Sequence, residues 1–190
     1  MSEEIKLLDP SHPSLTTRLE GCSEDLDRKK IVEDLTSAME KHQGIGLSAN
    51  QIGVSERVFV MYSNIKTREV MACFNPKIVT ESEETVVMTE GCLTYPGLWL
   101  DIARPEGIEV EFEDVNGDIQ QKALFGLECR IFQHEFDHME GTNYTKIVSR
   151  MKLDRALKRQ QKMLKKSKII KDRLWLKKMI CYLKLNFNIG

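Results

Sequence analysis

The chain lacks the cysteine pattern of a disulfide-bonded or zinc-ribbon protein. Its 190 residues include five cysteines, an odd number, and no two of them form a Cys-x-x-Cys pair. Small secreted domains instead carry paired cysteines that staple a short chain. We therefore expect reduced thiols and a cytoplasmic location for this protein.

The sequence also lacks segments that would target a protein to a membrane. Residues 1–5 contain no basic segment followed by an apolar run, so no signal peptide is expected. No stretch approaches the ~18 consecutive apolar residues that a membrane span needs. Internal repeats and low-complexity segments are absent apart from a lysine bias near the C-terminus. These absences exclude transmembrane and repeat architectures.

The composition predicts one folded domain with a well-buried core. Hydrophobic residues make up 41% of the chain and charged residues 30%, a balance typical of globular proteins and not of disordered ones. A length of 190 residues is sufficient for one core and too short for two ordinary domains.

The net charge of −1 conceals an uneven distribution of charge along the chain. Residues 151–190 contain 13 basic and 2 acidic residues, whereas residues 1–150 contain 15 basic and 27 acidic residues. The basic part begins with apolar residues at helical spacing between Leu153 and Leu164. We expect the two parts to face different partners.

The stretch Gln133–Gly141 places two imidazoles four residues apart, with a carboxylate directly after the first. On a helix, His134 and His138 lie on one face about one turn apart, so both rings can reach a single metal ion. Glu135 then stands beside the metal without binding it. Such an arrangement suits hydrolysis, because a metal ion lowers the pKa of bound water towards ~7 and an adjacent carboxylate can carry the proton. Gly141 is placed to end this helix in a left-handed cap.

Two histidines alone leave a metal under-coordinated, and a solvated amphipathic helix is the alternative interpretation of the same motif. A third ligand is available upstream in Glu90–Thr94. A thiolate suits a transition metal that already holds two imidazoles, and Cys92 follows a glycine that permits close backbone approach. Cys92, His134 and His138 together would leave one coordination position for water, which is the pattern of a catalytic site.

Three motifs then occur in a fixed order: Gly-Ile-Gly-Leu-Ser-Ala-Asn-Gln at 44–51, Glu-Gly-Cys-Leu-Thr at 90–94, and Gln-His-Glu-Phe-Asp-His-Met-Glu-Gly at 133–141. Together they resemble the three motifs of the peptide deformylase family, and the resemblance extends over residues 7–147. The chain departs from the family pattern at Ser48, Thr94 and Met139, where alanine, serine and leucine are usual. Each departure keeps the size or the character of the side chain.

The resemblance implies a metal-dependent amidase that removes the formyl group from the N-terminal formyl-methionine of nascent proteins and releases formate. It implies one divalent metal ion, with Fe(II) in the natural state and Zn(II), Ni(II) or Co(II) also accepted. It also divides the chain into a deformylase-like catalytic domain over residues 1–148 and a basic helical extension over residues 149–190.

The expected catalytic groups come from all three motifs. Glu135 accepts the water proton and returns it to the leaving amine, while the Gln51 amide and the Leu93 backbone N–H stabilise the oxyanion. The residues expected to contact the substrate are Ile45, Gly46, Glu90, Gly91, Trp99, Leu127 and Ile131. The alternative interpretation of Trp99 is that its side chain simply covers the sheet. Arg104 either orients an acid such as the second-motif glutamate or is a solvated loop residue.

Hydrophobic periodicity predicts an α+β fold, in which mainly antiparallel sheets pack around a central metal-binding helix, with an N-terminal helix and a basic C-terminal helix. Ser23 is expected to cap the N-terminal helix, which ends before Gly44. Strands are expected at 57–62, 70–74, 77–80 and 85–88, with a break at Asn75-Pro76. Strict alternation over Gly107–Glu113, followed by Asn116-Gly117, predicts a hairpin into a strand at 119–124.

The expected partners are formyl-methionyl nascent peptides and, through the basic extension, the ribosome, which the C-terminal helix of bacterial relatives contacts. That likeness is one of position and charge only, since residues 149–190 match no motif. A basic amphipathic helix can also bind RNA or an anionic membrane surface, or be merely solvated. We expect a monomer.

Two alternatives to a deformylase remain at this point. Zinc endopeptidases use the same His-Glu-x-x-His helix, but they usually take a third ligand from Glu or His downstream, and the remaining histidines, His12 and His42, lie upstream. A ribosome- or RNA-binding protein that has lost catalysis would explain the basic C-terminal part, but not why all the matched catalytic positions are intact.

Overall fold

The structure is a computed structural model that describes residues 5–166. The remainder of the predicted basic extension, including the mixed aromatic and lysine stretch 175–187, lies outside the described residues. Within residues 5–166, none of the helices combines the length and apolar character needed to cross a lipid bilayer.

The described residues form an α+β fold, as predicted. The α-helices are α1 (Arg28–Lys41), α2 (Gly126–Met139) and α3 (Arg150–Lys166). The strands are β1 (Gly46–Ser48), β2 (Val58–Asn64), β3 (Glu69–Glu81), β4 (Thr85–Glu90), β5 (Leu100–Pro105), β6 (Gly107–Glu113) and β7 (Ile119–Phe125). Short 3-10 helices occur at Pro13–Thr16, Ala49–Ile52 and Tyr144–Lys146.

All strand pairs in the described part are antiparallel, and they form two sheets. The larger has the order β1-β2-β3-β6-β7, and the smaller pairs β4 with β5. The side chains of β2 alternate between the two faces of the large sheet, and both sets are buried. Phe59 and Met61 join a core cluster with Phe132 of α2, whereas Val58 and Val60 join a second cluster with α1. The large sheet is therefore covered by α2 on one face and by α1 on the other.

Helix α1 begins four residues later than a Ser23 cap implies. Its N-cap is Asp27, whose side chain accepts a hydrogen bond from the Lys30 backbone N–H at 3.0 Å. The Ser23 hydroxyl instead donates to Glu56 Oε1 at 2.6 Å. Serine and aspartate are both good N-caps. Asp27 is the N-cap here because the Ser23 side chain is engaged by Glu56, a residue distant in sequence.

The predicted break at Asn75-Pro76 is wrong. Strand β3 continues through it from Glu69 to Glu81, with a shift in register against β6 between Phe74 and Lys77. Asn75 adopts φ +49°, so one residue absorbs the shift and Pro76 lies in a bulge, where its missing N–H is tolerated. The hairpin from β6 to β7 is confirmed, with Gly117 in its turn at φ +89°.

Helix α3 packs on the small sheet through the apolar stripe predicted from sequence. Ala156 is buried, and Leu153 and Leu157 contact the same cluster, which contains Leu98, Leu100, Ile102, Tyr144 and Cys92. Gln160 Nε2 donates to the Pro96 carbonyl at 2.8 Å. The first part of the predicted extension thus covers the loop that follows Cys92. The division of the chain at residue 148 stays a prediction.

Candidate metal centre and active site

The structure brings one sulfur and two imidazoles together between the small sheet and α2. The ligand atoms of Cys92, His134 and His138 all lie within 4.8 Å of one another, and the three residues are buried. His134 and His138 occupy successive turns of α2, with ring centroids 5.5 Å apart. Cys92 comes from the loop directly after β4. Cys92 precedes His134 by 42 positions in the sequence, and the fold brings the cysteine and the two histidines into one cluster.

The spacing of these donors fits a single transition metal ion. Cys92 Sγ lies 3.4 Å from His138 Nε2. A thiolate about 2.3 Å and an imidazole nitrogen about 2.0–2.1 Å from one tetrahedral ion stand roughly 3.5 Å apart. A soft thiolate with two imidazoles is also a donor set that iron, zinc, nickel and cobalt accept.

The electrostatics of the cluster favour the ligand form of the sulfur. Burial raises the pKa of the Cys92 thiol, but the neighbouring His138 and His134 rings outweigh burial and hold that pKa well below its usual value. A thiolate is the form that binds metal.

Glu90, the last residue of β4, fixes the orientation of His134. Its Oε2 accepts a hydrogen bond from His134 Nδ1 at 2.8 Å, which leaves Nε2 of that ring for a metal ion. Burial raises the pKa of Glu90, but His134 and Arg104 outweigh burial, so the pKa lies well below its usual value. Glu90 is thus a buried carboxylate that stays ionised.

Two arginines complete the environment of this carboxylate. Arg104 binds Glu90 through two hydrogen bonds of 2.7 and 3.0 Å and also donates to Asp137 Oδ2 at 2.8 Å. Arg130 donates to Glu90 Oε1 at 2.7 Å. Arg104 lies on β5 and is buried, so the interpretation in which it orients Glu90 is correct and the solvated-loop alternative is wrong.

Gly141 ends α2 as predicted from the sequence. It adopts φ +66°, and its N–H donates to the His138 carbonyl at 3.2 Å, while the Thr142 N–H donates to the Asp137 carbonyl at 2.9 Å. This pair of bonds is the Schellman arrangement that closes a helix. A side chain at 141 would lie 2.6 Å from the Arg18 backbone nitrogen, so glycine is required for packing as well as for its φ.

Glu135 points from α2 towards β1. Its Oε2 accepts a hydrogen bond from the Ser48 hydroxyl at 2.5 Å, and both residues are buried. Burial raises the pKa of Glu135, and the rings of His134 and His138 and the Ser48 hydroxyl offset only part of that effect. A raised pKa brings a carboxylate closer to the range in which it can both accept and return a proton.

Gln51 lies beside the cysteine ligand. Its Nε2 is 3.3 Å from Cys92 Sγ and donates to Thr94 Oγ1 at 3.0 Å, while its Oε1 accepts from the Ser48 backbone N–H at 2.9 Å. The amide is therefore fixed with its donor end towards the cluster. Two departures from the family pattern, Ser48 and Thr94, are thus in direct contact with this machinery.

A cavity opens next to the cluster, and every residue predicted to contact substrate lines it. The lining includes Ile45, Gly46, Glu90, Gly91, Trp99, Leu127 and Ile131, together with Gln51, Cys92, Leu93, His134 and Glu135. Both carboxylate oxygens of Glu90 are engaged by His134 and the two arginines, however, so Glu90 supports the metal ligand and does not present a free group to the cavity.

Two glycines allow the walls of this cavity to approach closely. A Cβ on Gly46 would lie 2.5 Å from Glu135 Oε1 and 2.9 Å from Ile131. A Cβ on Gly91 would lie 2.8 Å from the Trp99 ring. Trp99 therefore packs over the backbone of the second motif and forms part of the cavity wall.

Sequence reasoning missed the roles of Arg130 and Asp137. Arg130 also donates to the Ile102 and Val86 carbonyls, at 3.0 and 2.7 Å, and so joins α2 to the small sheet. The available signal was helical spacing, because Arg130 precedes His134 by one turn and shares its face. A charged residue on an inward face must find a buried partner.

Comparisons with known proteins agree with the geometry. The profile of the polypeptide deformylase family matches residues 5–154. A peptide deformylase of Thermotoga neapolitana is 38% identical over 113 residues, 60% of this chain and 67% of that protein. One from Wolbachia sp. subsp. Brugia malayi is 36% identical over 159 residues, 78% of this chain and 89% of that protein.

Solved structures give the same result. The crystal structure of a peptide deformylase from Synechococcus elongatus in complex with actinonin is 30% identical and has a TM-score of 0.78, covering 83% of this chain and 88% of that one. A peptide deformylase from Plasmodium falciparum, also 30% identical, has a TM-score of 0.76 and covers 87% of this chain and 100% of that one. Fold, motifs and relatives agree, and the chain belongs to the polypeptide deformylase family, the hydrolases that remove the formyl group from the N-terminal methionine of nascent proteins.

Proposed function

We propose that Cys92, His134 and His138 bind one divalent metal ion and that the adjoining cavity is where a formyl-methionyl peptide loses its formyl group as formate. The observation that supports this proposal is the convergence of three buried metal-ligand atoms with the Glu135 carboxylate at the edge of one cavity. Three protein ligands leave a coordination position open, as catalytic sites do.

The metal ion, when bound, supplies Lewis-acid chemistry that acidifies water and polarises the formyl carbonyl. Glu135 accepts the proton of the attacking water while the oxygen bonds to the formyl carbon. It then returns that proton to the nitrogen of the methionine as the C–N bond breaks. The raised pKa of this buried carboxylate suits both transfers.

Gln51 and Leu93 stabilise the oxyanion that develops at the formyl oxygen. The Gln51 amide is held with its N–H donors towards the cluster, and Leu93 follows Cys92 directly and lines the cavity. Donors already aligned in a water-poor site need no reorganisation during the reaction. Loss of one such donor typically costs ~3–4 kcal/mol of transition-state stabilisation.

The remaining cavity residues hold the peptide. Gly46, Gly91 and the Ile45 backbone pair with the main chain of the substrate, since all three residues line the cavity. The apolar side chains of Ile45, Leu127 and Ile131 surround the methionine side chain. Trp99 covers the wall at Gly91 and contacts the residues that follow methionine.

Fe(II) is the proposed natural metal, with Zn(II), Ni(II) and Co(II) as functional substitutes. A thiolate beside Fe(II) is prone to oxidation in air. Anaerobically purified protein is expected to contain iron by elemental analysis and to lose activity faster in air than under argon. Equal lifetimes in the two atmospheres would argue against iron.

We also propose a cytoplasmic monomer whose basic extension, residues 149–190, contacts the ribosome beside the catalytic domain of residues 1–148. The support is the charge asymmetry, 13 basic against 2 acidic residues in 151–190. Co-sedimentation with ribosomes is expected to weaken as salt rises and to disappear in a variant truncated after residue 166. Gel filtration tests the monomer. Binding that survives the truncation would assign the contact to residues 1–166.

The activity is tested by formate release from a formyl-Met dipeptide with metal-loaded protein. Replacing Glu135 by glutamine keeps its shape and removes its basicity, so kcat is expected to fall by ~10²–10⁴-fold with the metal retained. An unblocked peptide with internal bonds serves as the second substrate. Cleavage of internal bonds, or formate release unchanged in Glu135→Gln, would contradict the proposal.

A further inference from the structure

Ser48, the last residue of β1, contacts two side chains to which the proposed function gives catalytic roles. Its hydroxyl donates to Glu135 Oε2 at 2.5 Å, and its backbone N–H donates to Gln51 Oε1 at 2.9 Å. Ser48 is fully buried and Glu135 is 4% exposed, so water does not compete for either group. A short hydrogen bond from a hydroxyl to a carboxylate is among the stronger polar contacts in a protein.

The bond with Ser48 engages Oε2 of Glu135, and the other oxygen, Oε1, lies beside a residue that lines the cavity. Oε1 lies against Gly46, where an added Cβ would approach it to 2.5 Å, and Gly46 lines the cavity. A glutamate side chain has three torsions, and without an anchor its carboxylate can rotate away from one orientation. The Ser48 hydroxyl restricts that rotation by holding Oε2.

We infer that Ser48 is a positioning residue for this reaction. It acts through Glu135: by holding Oε2 it directs Oε1 towards the water that attacks the formyl carbon. This inference rests on the proposed function, in which Glu135 is the proton carrier. Ser48 does not touch the substrate, so its effect belongs in kcat and not in KM.

Kinetics of three variants separate positioning from simple packing. Ser48→Ala removes the hydroxyl without adding volume, and Ser48→Thr keeps a hydroxyl. Ser63→Ala is the matched control, because the Ser63 hydroxyl donates to the Glu69 carbonyl at 3.3 Å in the β2–β3 hairpin, away from the cavity. The measurements are kcat and KM for a formyl-Met peptide, metal content, and the urea midpoint of unfolding.

We expect Ser48→Ala to lower kcat by about three- to tenfold, a loss of about 0.7–1.4 kcal/mol in transition-state stabilisation, with KM and metal content unchanged. Ser48→Thr should recover most of that loss, and Ser63→Ala should match the wild type. The inference is overturned if kcat of Ser48→Ala is unchanged, or if KM or metal content changes in place of kcat. If the threonine variant does not fold, the alanine variant decides.

Crystal structures of metal-loaded wild type and Ser48→Ala provide a second readout that does not depend on turnover. The Glu135 carboxylate is expected to leave its position or to adopt several orientations in the variant, while Cys92, His134 and His138 stay in place. An unmoved carboxylate overturns the inference. A wild-type protein that releases no formate contradicts the proposed function, and the crystallographic comparison then decides by itself whether Ser48 positions Glu135.

Discussion

Glu90 balances the charges around the site. Its carboxylate, with a side chain only 3% exposed, lies between the guanidinium groups of Arg104 and Arg130 and also accepts from His134. Each of these bonds joins β4 to another element. One carboxylate therefore holds the metal ligand His134, strand β5 and helix α2 in fixed positions relative to one another.

Glu90→Gln is expected to weaken both folding and metal binding. The substitution removes the carboxylate that pairs with the buried Arg130 and leaves Arg104 paired with Asp137 alone, and breaking a buried ion pair typically costs about 3–5 kcal/mol of unfolding free energy. Loss of the carboxylate that orients His134 is expected to lower metal affinity by ~10–100-fold. Urea unfolding of the metal-free protein and competition with a chelator measure the two effects.

Glu109→Gln is the control for this substitution. Glu109 is exposed on β6, where it accepts a hydrogen bond from Thr80 Oγ1 at 3.0 Å. An exposed polar contact contributes little, so unfolding free energy is expected to change by less than about 0.5 kcal/mol. If both variants are equally stable, the buried carboxylate does not hold the site together.

At the scale of elements, α2 carries most of the site because its period matches the cluster. Arg130, His134 and His138 follow one another at intervals of four residues and therefore share a face. The opposite face packs Phe132 and Met139 into the core against the large sheet. A helix fixed on one side by apolar packing holds polar groups on its other side in defined positions.

The end of α2 depends on Gly141. Gly141→Ala is expected to lower the unfolding free energy by about 3 kcal/mol or more, because it adds left-handed strain of ~1–2 kcal/mol to a clash with the Thr17–Arg18 backbone. Gly117→Ala is the control: its φ of +89° brings similar strain, but nothing lies within 4 Å of its added Cβ. Equal losses in urea unfolding would mean that the clash is relieved at no cost.

The contact between β1 and α2 depends on Gly46. Gly46→Ala places a Cβ 2.5 Å from Glu135 Oε1, so the carboxylate must move, and kcat for deformylation is expected to fall by at least about tenfold. Gly21→Ala is the matched control, because its Cβ meets its nearest neighbour at an ordinary 3.7 Å. Full activity in Gly46→Ala would show that Glu135 tolerates displacement.

At the level of the whole molecule, α3 packs against the loop that carries Cys92. Its Ala156 packs into the cluster that also contains Cys92 and Tyr144, and its Gln160 bonds to the loop after Cys92. The basic face of the helix remains exposed, with Lys152, Lys158 and Lys162 in water. One helix thus stabilises the metal loop and presents positive charge to the surroundings.

Ala156→Asp is expected to destabilise the protein by about 2–4 kcal/mol, because it places an unpaired carboxylate among apolar side chains. Gln161→Asp introduces the same change in charge on the exposed side of the same helix. It is expected to alter stability by less than about 0.5 kcal/mol. Thermal and urea unfolding of both variants measure the difference, and equal stability would mean that α3 is not anchored by this cluster.

Local signals predicted much of this molecule, and long-range contacts decided the rest. The spacing of His134 and His138 and the left-handed cap at Gly141 depend on residues within one helix, so they could be predicted from sequence. The continuous β3 could not, because pairing with β6 overrides the break that Asn75-Pro76 indicates. Strand β5 was missed for a similar reason, since its residues become a strand by pairing with β4.

The pattern of residues was sufficient to predict the chemistry: two imidazoles on one helical face, a carboxylate beside them, a cysteine in a glycine-containing motif, and the order of three motifs. The groups that support that chemistry could be identified only from the folded molecule. The contacts from Ser48 to Glu135 and from Arg130 to Glu90 join residues 87 and 40 positions apart. Helical spacing places Arg130 on the inward face of α2, but the partner in each of these contacts depends on how the sheets and α2 pack.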